Sequence, residues 1–281
     1  MTTGSCLCGT VHFSMDDEHS DMTHCHCSIC RKLHGVPFAT YVNVRNLQIT
    51  KGEASIVPYE SSPGFMRSFC GVCGSVLPEK LQGSDTYSVP AGTINEDVDC
   101  SSQEHIFVES KAPWFEITDS LKQVEGYGEG DSRPIVDSPD IAATPEGYVA
   151  GSCHCGDVAF RFKDNAKLMM YCHCTRCRKV KGAAHAANVF VAPEDFEWLR
   201  GEDCVVAYDL PDAVRFGNSF CKTCGSSVPR KADSAPAYNV PAGILDDDPG
   251  VDSKGHIFTG SKSNWYEITD DKAQFEEMPD S

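Results

Sequence analysis

Apolar residues come in short runs bounded by turn formers. In the first half they are VHFSM at 11–15, FATYVNV at 38–44, SIVPYE at 55–60, TYSVPAG at 86–92, HIFVES at 105–110 and FEIT at 115–118. In the second they are VAFRF at 158–162, ANVFV at 187–191, CVVAY at 204–208, YNVPAG at 238–243 and WYEIT at 265–269. Runs this short, rich in β-branched and aromatic residues, predict strands. No amphipathic stretch exceeds about three turns, and PEDFEWLR at 193–200 is the segment expected to form one short helix. The pattern therefore predicts a mostly β protein.

The halves repeat one another. GSCLCG at 4–9 matches GSCHCG at 151–156, and CHCSICRK at 25–32 matches CHCTRCRK at 172–179, both 147 positions apart. KGE at 51 and RGE at 200 stand 149 apart, and SFCGVCGS at 68 and SFCKTCGS at 219 stand 151 apart. YSVPAG and YNVPAG, the two HIF triplets, and WFEITD and WYEITD keep that last offset, so surface loops absorb the difference between two copies of one module. Between them, residues 126–147 (GYGEGDSRPIVDSPDIAATPEG) are rich in Gly, Pro, Asp and Ser and read as an exposed linker. The expected organisation is a first module at 1–125, the linker at 126–147 and a second module at 148–281.

Composition narrows the chemistry. At 281 residues the chain is long enough for two domains, and 41% hydrophobic with 23% charged residues is ordinary for a folded protein. A formal charge of −17 argues against direct nucleic-acid or anionic-membrane contact, and no long basic run reverses it. MTTGSCLCGT lacks the basic start and apolar stretch of a signal peptide, so a cytoplasmic location is the expectation. In that compartment sixteen cysteines point to metal ligation ahead of disulfides.

Seven cysteines recur in each module. They are Cys6, Cys8, Cys25, Cys27, Cys30, Cys70 and Cys73, then Cys153, Cys155, Cys172, Cys174, Cys177, Cys221 and Cys224. Seven divides into a closed four-thiolate zinc site and a three-ligand site with one open position. FCxxCG is the tight turn that lets two thiolates face one metal, and joining it to CxC clips a long loop. CHCxxC supplies three thiolates within six residues, and in an extended Cys25-His26-Cys27 segment His26 points away from the cysteines. The triplet also fits a structural site that recruits a fourth ligand. His24 and His34 face Tyr171 and Lys181 in the repeat, however, so no closing histidine is shared. An odd number per module cannot pair fully into internal disulfides. Cys100 and Cys204 lie opposite Val251 and Ser55 and read as ordinary small residues.

Together, GSCxCG, CHCxxCRK, RSFCxxCG, VPAG and HIFxxSKxxW resemble the glutathione-dependent formaldehyde-activating enzyme and centromere protein V family, and apart from the arginine of RSFCxxCG all of them recur in the second copy. That resemblance implies two tandem Mss4-like zinc-binding β modules. It implies a structural zinc on Cys6, Cys8, Cys70 and Cys73 and another on Cys153, Cys155, Cys221 and Cys224. It further implies an active-site zinc on Cys25, Cys27 and Cys30 and one on Cys172, Cys174 and Cys177, up to four ions per chain. The implied activity is that of a carbon–sulfur lyase condensing glutathione, as co-substrate, with formaldehyde or a related small aldehyde. The alternative is a non-catalytic zinc-stabilised protein-interaction module. Arg31, Lys32, Arg178 and Lys179 follow the triplets and are the candidate contacts for glutathione carboxylates, against a reading as solvated surface cations. Trp114 and Trp265 fit either a pocket wall or the core, and His105 and His256 fit satisfied structural histidines better than acid–base groups. Arg67 precedes the first FCxxCG where the second copy has Asn218, so an anion site built on that arginine would be weaker in the second module.

Overall fold

The computed structural model describes residues 1–16, 19–81, 83–127, 143–214, 216–231 and 235–279. Most of the expected linker, residues 128–142, lies outside them. The chain is mostly β, with two tandem modules built alike. In the first, Thr2–Ser5, His12–Met15 and Gln48–Lys51 form a three-stranded antiparallel sheet. A larger mixed sheet runs in the order Lys122–Val124, Ser102–Ile106, His19–Cys25, Ala39–Arg45, Thr86–Pro90, Glu79–Lys80. Ile56–Ser62, Phe65–Cys70 and Val76–Leu77 make a third sheet that ends in the first FCxxCG turn. The second module repeats this plan. Tyr148–Ser152 pairs with Ala159–Lys163 and Phe196–Arg200, Leu168–Cys172 lies between Ala186–Val191 and Ser253–Ile257, and Val205–Asp209 pairs with Gly217–Cys221.

Each CHCxxC opens a seven-residue helix, α1 (Ser28–His34) and α2 (Thr175–Lys181). Cys27 and Cys174 are the N-caps, their sulfurs accepting from the Cys30 and Cys177 amides at 3.3 and 3.4 Å. Gly35 and Gly182 end the helices at φ 68° and 58°, a left-handed conformation that glycine adopts without strain. The helix expected at 193–200 is absent. Pro193–Asp195 is a single 3-10 turn and Phe196–Arg200 is a strand. Phe196 and Trp198 alternate with the exposed Glu197 and Leu199, the period of a strand, and pack against Phe160 at ring distances of 5.5 and 6.1 Å.

The modules share one core. Phe13, Met22, Phe38 and Val89 of the first belong to the same buried cluster as Phe160, Met169, Val189 and Ile244 of the second. Their contacts follow a pseudo-twofold axis, as in an isologous dimer. Lys32 Nζ donates to the Ser152 carbonyl at 2.8 Å and its hydroxyl at 3.0 Å and forms an ion pair with Asp246. At the matching place Lys179 Nζ donates to the Ser5 hydroxyl at 2.8 Å and to Asn95. Each VPAG motif lies against the other module's helix. A Cβ on Gly92 would stand 2.4 Å from the Arg178 carbonyl oxygen, and one on Gly243 would stand 2.2 Å from the Val36 nitrogen. The FCxxCG strands meet through Phe69 and Phe220, 6.0 Å apart edge to face. Among the described residues no helix is long and apolar enough to cross a membrane.

Candidate functional site

Four groups of sulfurs converge. Cys6, Cys8, Cys70 and Cys73 form one set of four and Cys153, Cys155, Cys221 and Cys224 the other, with all sulfurs of each set within 4.8 Å of one another. The CxC turn of one sheet meets the FCxxCG turn of another through a backbone amide: Leu7 donates to the Ser75 hydroxyl at 2.9 Å and His154 to the Ser226 hydroxyl at 3.2 Å. The Val11 amide donates to Cys6 Sγ and the Val158 amide to Cys153 Sγ, both at 3.2 Å. Sulfur separations of 3.4 and 3.8 Å in the first set and 3.5 and 3.7 Å in the second exclude disulfide bonds. They approach the edge of a thiolate tetrahedron, about 3.8 Å for metal–sulfur bonds of about 2.3 Å. This donor set fits a closed zinc site. Tyr59 and Tyr208 reach across the modules: the Tyr59 hydroxyl lies 2.7 Å from His154 Nδ1, and Tyr208 packs on the Cys6–Cys73 group.

Cys25, Cys27 and Cys30 form a set of three within the same limit, as do Cys172, Cys174 and Cys177. The first cysteine of each set closes a central strand, the second caps the helix, and the third lies in the helix's first turn. Three thiols cannot all ionise together without a cation. In the first module Cys30 is held well below the ordinary thiol range by hydrogen bonds from Cys25 and then Cys27, with the Arg67 charge adding to them. In the second it is Cys174 that is lowered, to about 3, by hydrogen bonds from Cys172 and Cys177. The sets fit a metal that accepts three thiolates.

His26 stands outside the first set. Its Nε2 lies 2.8 Å from His105 Nδ1, and His105 Nε2 lies 3.0 Å from Asp119. His173, His256 and Asp270 repeat this chain at 2.8 and 3.0 Å. Burial first, then the neighbouring His105, lowers His26 to about 3, so it is neutral. His105 and His256 are accordingly buried, hydrogen-bonded residues of the framework. Trp265 is buried in the shared core and Trp114 is half-buried against it, and neither lines the cavity described next.

Beside Cys25, Cys27 and Cys30 opens a cavity of about 240 Å³. Tyr41, Arg67, Glu79 and Glu104, with Thr23 and Asn43, stand in its polar wall, and Phe65, Phe107 and Tyr127 add rings. Arg67 Nη1 donates to the Tyr41 hydroxyl at 3.1 Å and to Glu79 at 2.6 Å, and Nη2 lies 3.8 Å from Cys30 Sγ. Burial raises the Glu79 carboxyl to about 7 against the opposing pull of Arg67.

Of the four cations next to the triplets, Lys32 and Lys179 face the opposite module, in the contacts already described. Arg31 Nε donates to the His26 carbonyl at 3.3 Å and the Ser110 carbonyl at 3.2 Å, and Arg178 is half-buried. Tyr41, Glu79 and Glu104 were not legible as site residues. The only signal was that the repeat replaces them with Asn188, Arg230 and Gly255.

The family model described as glutathione-dependent formaldehyde-activating enzyme matches residues 1–110 and 148–261. A solved structure of a Rhodobacter sphaeroides protein shares 26% identity, covering 35% of this chain and 89% of its own, with a TM-score of 0.28. No curated protein matches the chain.

Proposed function

Because the chain belongs to the glutathione-dependent formaldehyde-activating enzyme family, matched over both modules, we propose that it is a zinc-dependent carbon–sulfur lyase joining glutathione to formaldehyde or a related small aldehyde. The observation that carries this reading is a cavity opening directly onto three converging cysteines. Cys25, Cys27 and Cys30 would hold the reactive zinc, and the two four-cysteine groups would hold structural zinc. Zinc with an open position supplies thiol ionisation at neutral pH and polarisation of a carbonyl.

The chain's own residues do the rest. The cavity admits a thiol beside an aldehyde and holds both near Cys30, which turns a bimolecular addition into a local one. The thiol proton leaves sulfur, a C–S bond forms as the carbonyl π bond breaks, and the carbonyl oxygen takes up a proton. The reverse reaction breaks the same C–S bond, and neither direction needs an oxidant. Arg31, braced on the His26 and Ser110 carbonyls, is the triplet-adjacent cation assigned here to a glutathione carboxylate. The substrates are a small thiol and an aldehyde, and no nucleic-acid or membrane partner is assigned.

The test is exchange NMR of formaldehyde with glutathione, comparing zinc-loaded protein, metal-stripped protein and buffer. Zinc-dependent acceleration is expected. A rate with fully metallated, folded protein equal to that of buffer would remove this reaction.

A further inference from the structure

We infer that the two modules have divided the work: thiol–aldehyde chemistry belongs to the first, where Arg67 contacts the oxygen of the adduct, and the three cysteines of the second take up no substrate thiol. This rests on the lyase reading proposed above. It comes from comparing positions that strand register makes equivalent. Thr23 pairs with Tyr41 and Cys25 with Ala39, just as Met170 pairs with Asn188 and Cys172 with Ala186. Arg67 faces Tyr59 as Asn218 faces Tyr208, and Glu79 faces Ser88 as Arg230 faces Asn239.

Two polar lining positions of the first cavity, Thr23 and Asn43, are apolar in the second module. They become Met170 and Phe190, and Phe190, Phe216, Phe258 and Phe275 pack against the group containing Met170, Cys172 and Cys177. Asn218, in the place of Arg67, donates to the Cys73 carbonyl across the modules at 3.0 Å. Arg230, in the place of Glu79, pairs instead with Asp209.

In the first module the second one helps to aim Arg67. His34 Nδ1 lies 2.6 Å from the Lys181 carbonyl of α2, and a carbonyl only accepts, so Nδ1 carries the proton. His34 Nε2 then accepts from the Tyr41 hydroxyl at 2.7 Å, which leaves the Tyr41 oxygen to accept from Arg67 Nη1. With Ser61 at 3.4 Å and Glu79 also engaged, the guanidinium is fixed with Nη2 toward Cys30 and the cavity. It stands where an aldehyde oxygen gains charge as sulfur attacks. His34 and Tyr41 are positioning residues. The repeat puts Lys181 and Asn188 at their places, so the second module lacks the whole chain.

The experiment uses the full chain loaded with cobalt(II), titrated with 2-mercaptoethanol and with glutathione while the thiolate-to-cobalt absorption is followed. Each thiol should saturate at one equivalent per chain. The double substitution Thr23→Met/Asn43→Phe, which imports the packing of the second module, should abolish the response at unchanged cobalt content. Arg67→Gln should keep its metal and lose about 100-fold in glutathione–formaldehyde exchange, the usual effect of removing one donor to a developing oxyanion, and Arg67→Lys should recover part of it. Two equivalents per chain, or an undiminished titration in the double variant, would overturn the division of work. Full activity in Arg67→Gln would overturn the role of that arginine. Saturation by 2-mercaptoethanol at one equivalent without any glutathione response would support the division while removing glutathione as the substrate.

Discussion

Replacing Asp246 with alanine should weaken the protein by about 3–5 kcal/mol, because it strands a buried ammonium. Lys32 is 5% exposed, and its acceptors are the Ser152 carbonyl and hydroxyl and the Asp246 carboxylate. The carboxylate is the only charged one, and its other oxygen accepts from the Ser152 hydroxyl at 2.9 Å, so truncation also unpairs the serine. For a chain of 281 residues, at about 2.1 cal/mol/K of unfolding entropy per residue, that loss lowers Tm by about 5–8 °C. The pseudo-twofold supplies its own control. Lys179 is held by Asn95 at the position of Asp246, so Asp246→Asn should cost only about 1–2 kcal/mol. The charge-free pair Lys32→Met/Asp246→Leu should fall within about 2 kcal/mol of the parent, since a buried ion pair contributes little net stability over apolar residues of similar size. Calorimetry of the zinc-loaded proteins reads all three. An Asp246→Ala protein melting within about 2 °C of the parent would refute the claim that this contact clamps the modules together.

Gly92→Ala should destabilise the protein by more than about 2 kcal/mol, because the added Cβ meets backbone of the other module at 2.4 and 2.5 Å; urea unfolding checks it. Stability should also fall with acid. Burial lowers His34 to about 4 and His185 to about 3, so the unfolded chain binds the protons and the full stability is present only above about pH 6.5. Each should cost about 1.4 kcal/mol at pH 5.5 relative to pH 7.5, and urea midpoints of His34→Gln should show a pH dependence smaller by that amount. Cys70→Ser, which removes one thiolate from a closed set, should lose one zinc per chain by mass spectrometry and melt at a lower temperature, because such a site couples metal binding to folding.

The repeat, the β character and the two CHCxxC triplets are legible because each rests on local spacing, whereas the joining of each CxC to a distant FCxxCG is what the family resemblance implies. CxC, CHCxxC and FCxxCG are turn-scale motifs whose geometry needs little help from the rest of the chain. Other features depended on tertiary context. The α1 and α2 helices are seven residues long, too short to show a helical period, and their caps are cysteines rather than the usual Ser, Thr or Asp. The acidic turn Pro193–Asp195 has the composition of a helix start, yet Phe196 and Trp198 continue it as a strand because their rings pack on Phe160. Lys32 and Lys179 looked like partners for a substrate anion, and only the packing of two modules shows them facing Asp246 and Asn95. The VPAG glycines carried a motif whose reason was likewise invisible until the other module's helix was seen against them. The copies differ at Arg67, and they differ in the same way at Tyr41 and Glu79, which line the same cavity.

The most direct test of the account is formaldehyde–glutathione exchange NMR on zinc-loaded Cys27→Ser and Cys174→Ser, each with zinc content and circular dichroism measured on the same sample. Cys27→Ser, folded and retaining its structural zinc, is expected to fall to the rate of buffer while Cys174→Ser stays near the parent. Equal losses in both variants, or full activity in Cys27→Ser, would contradict it.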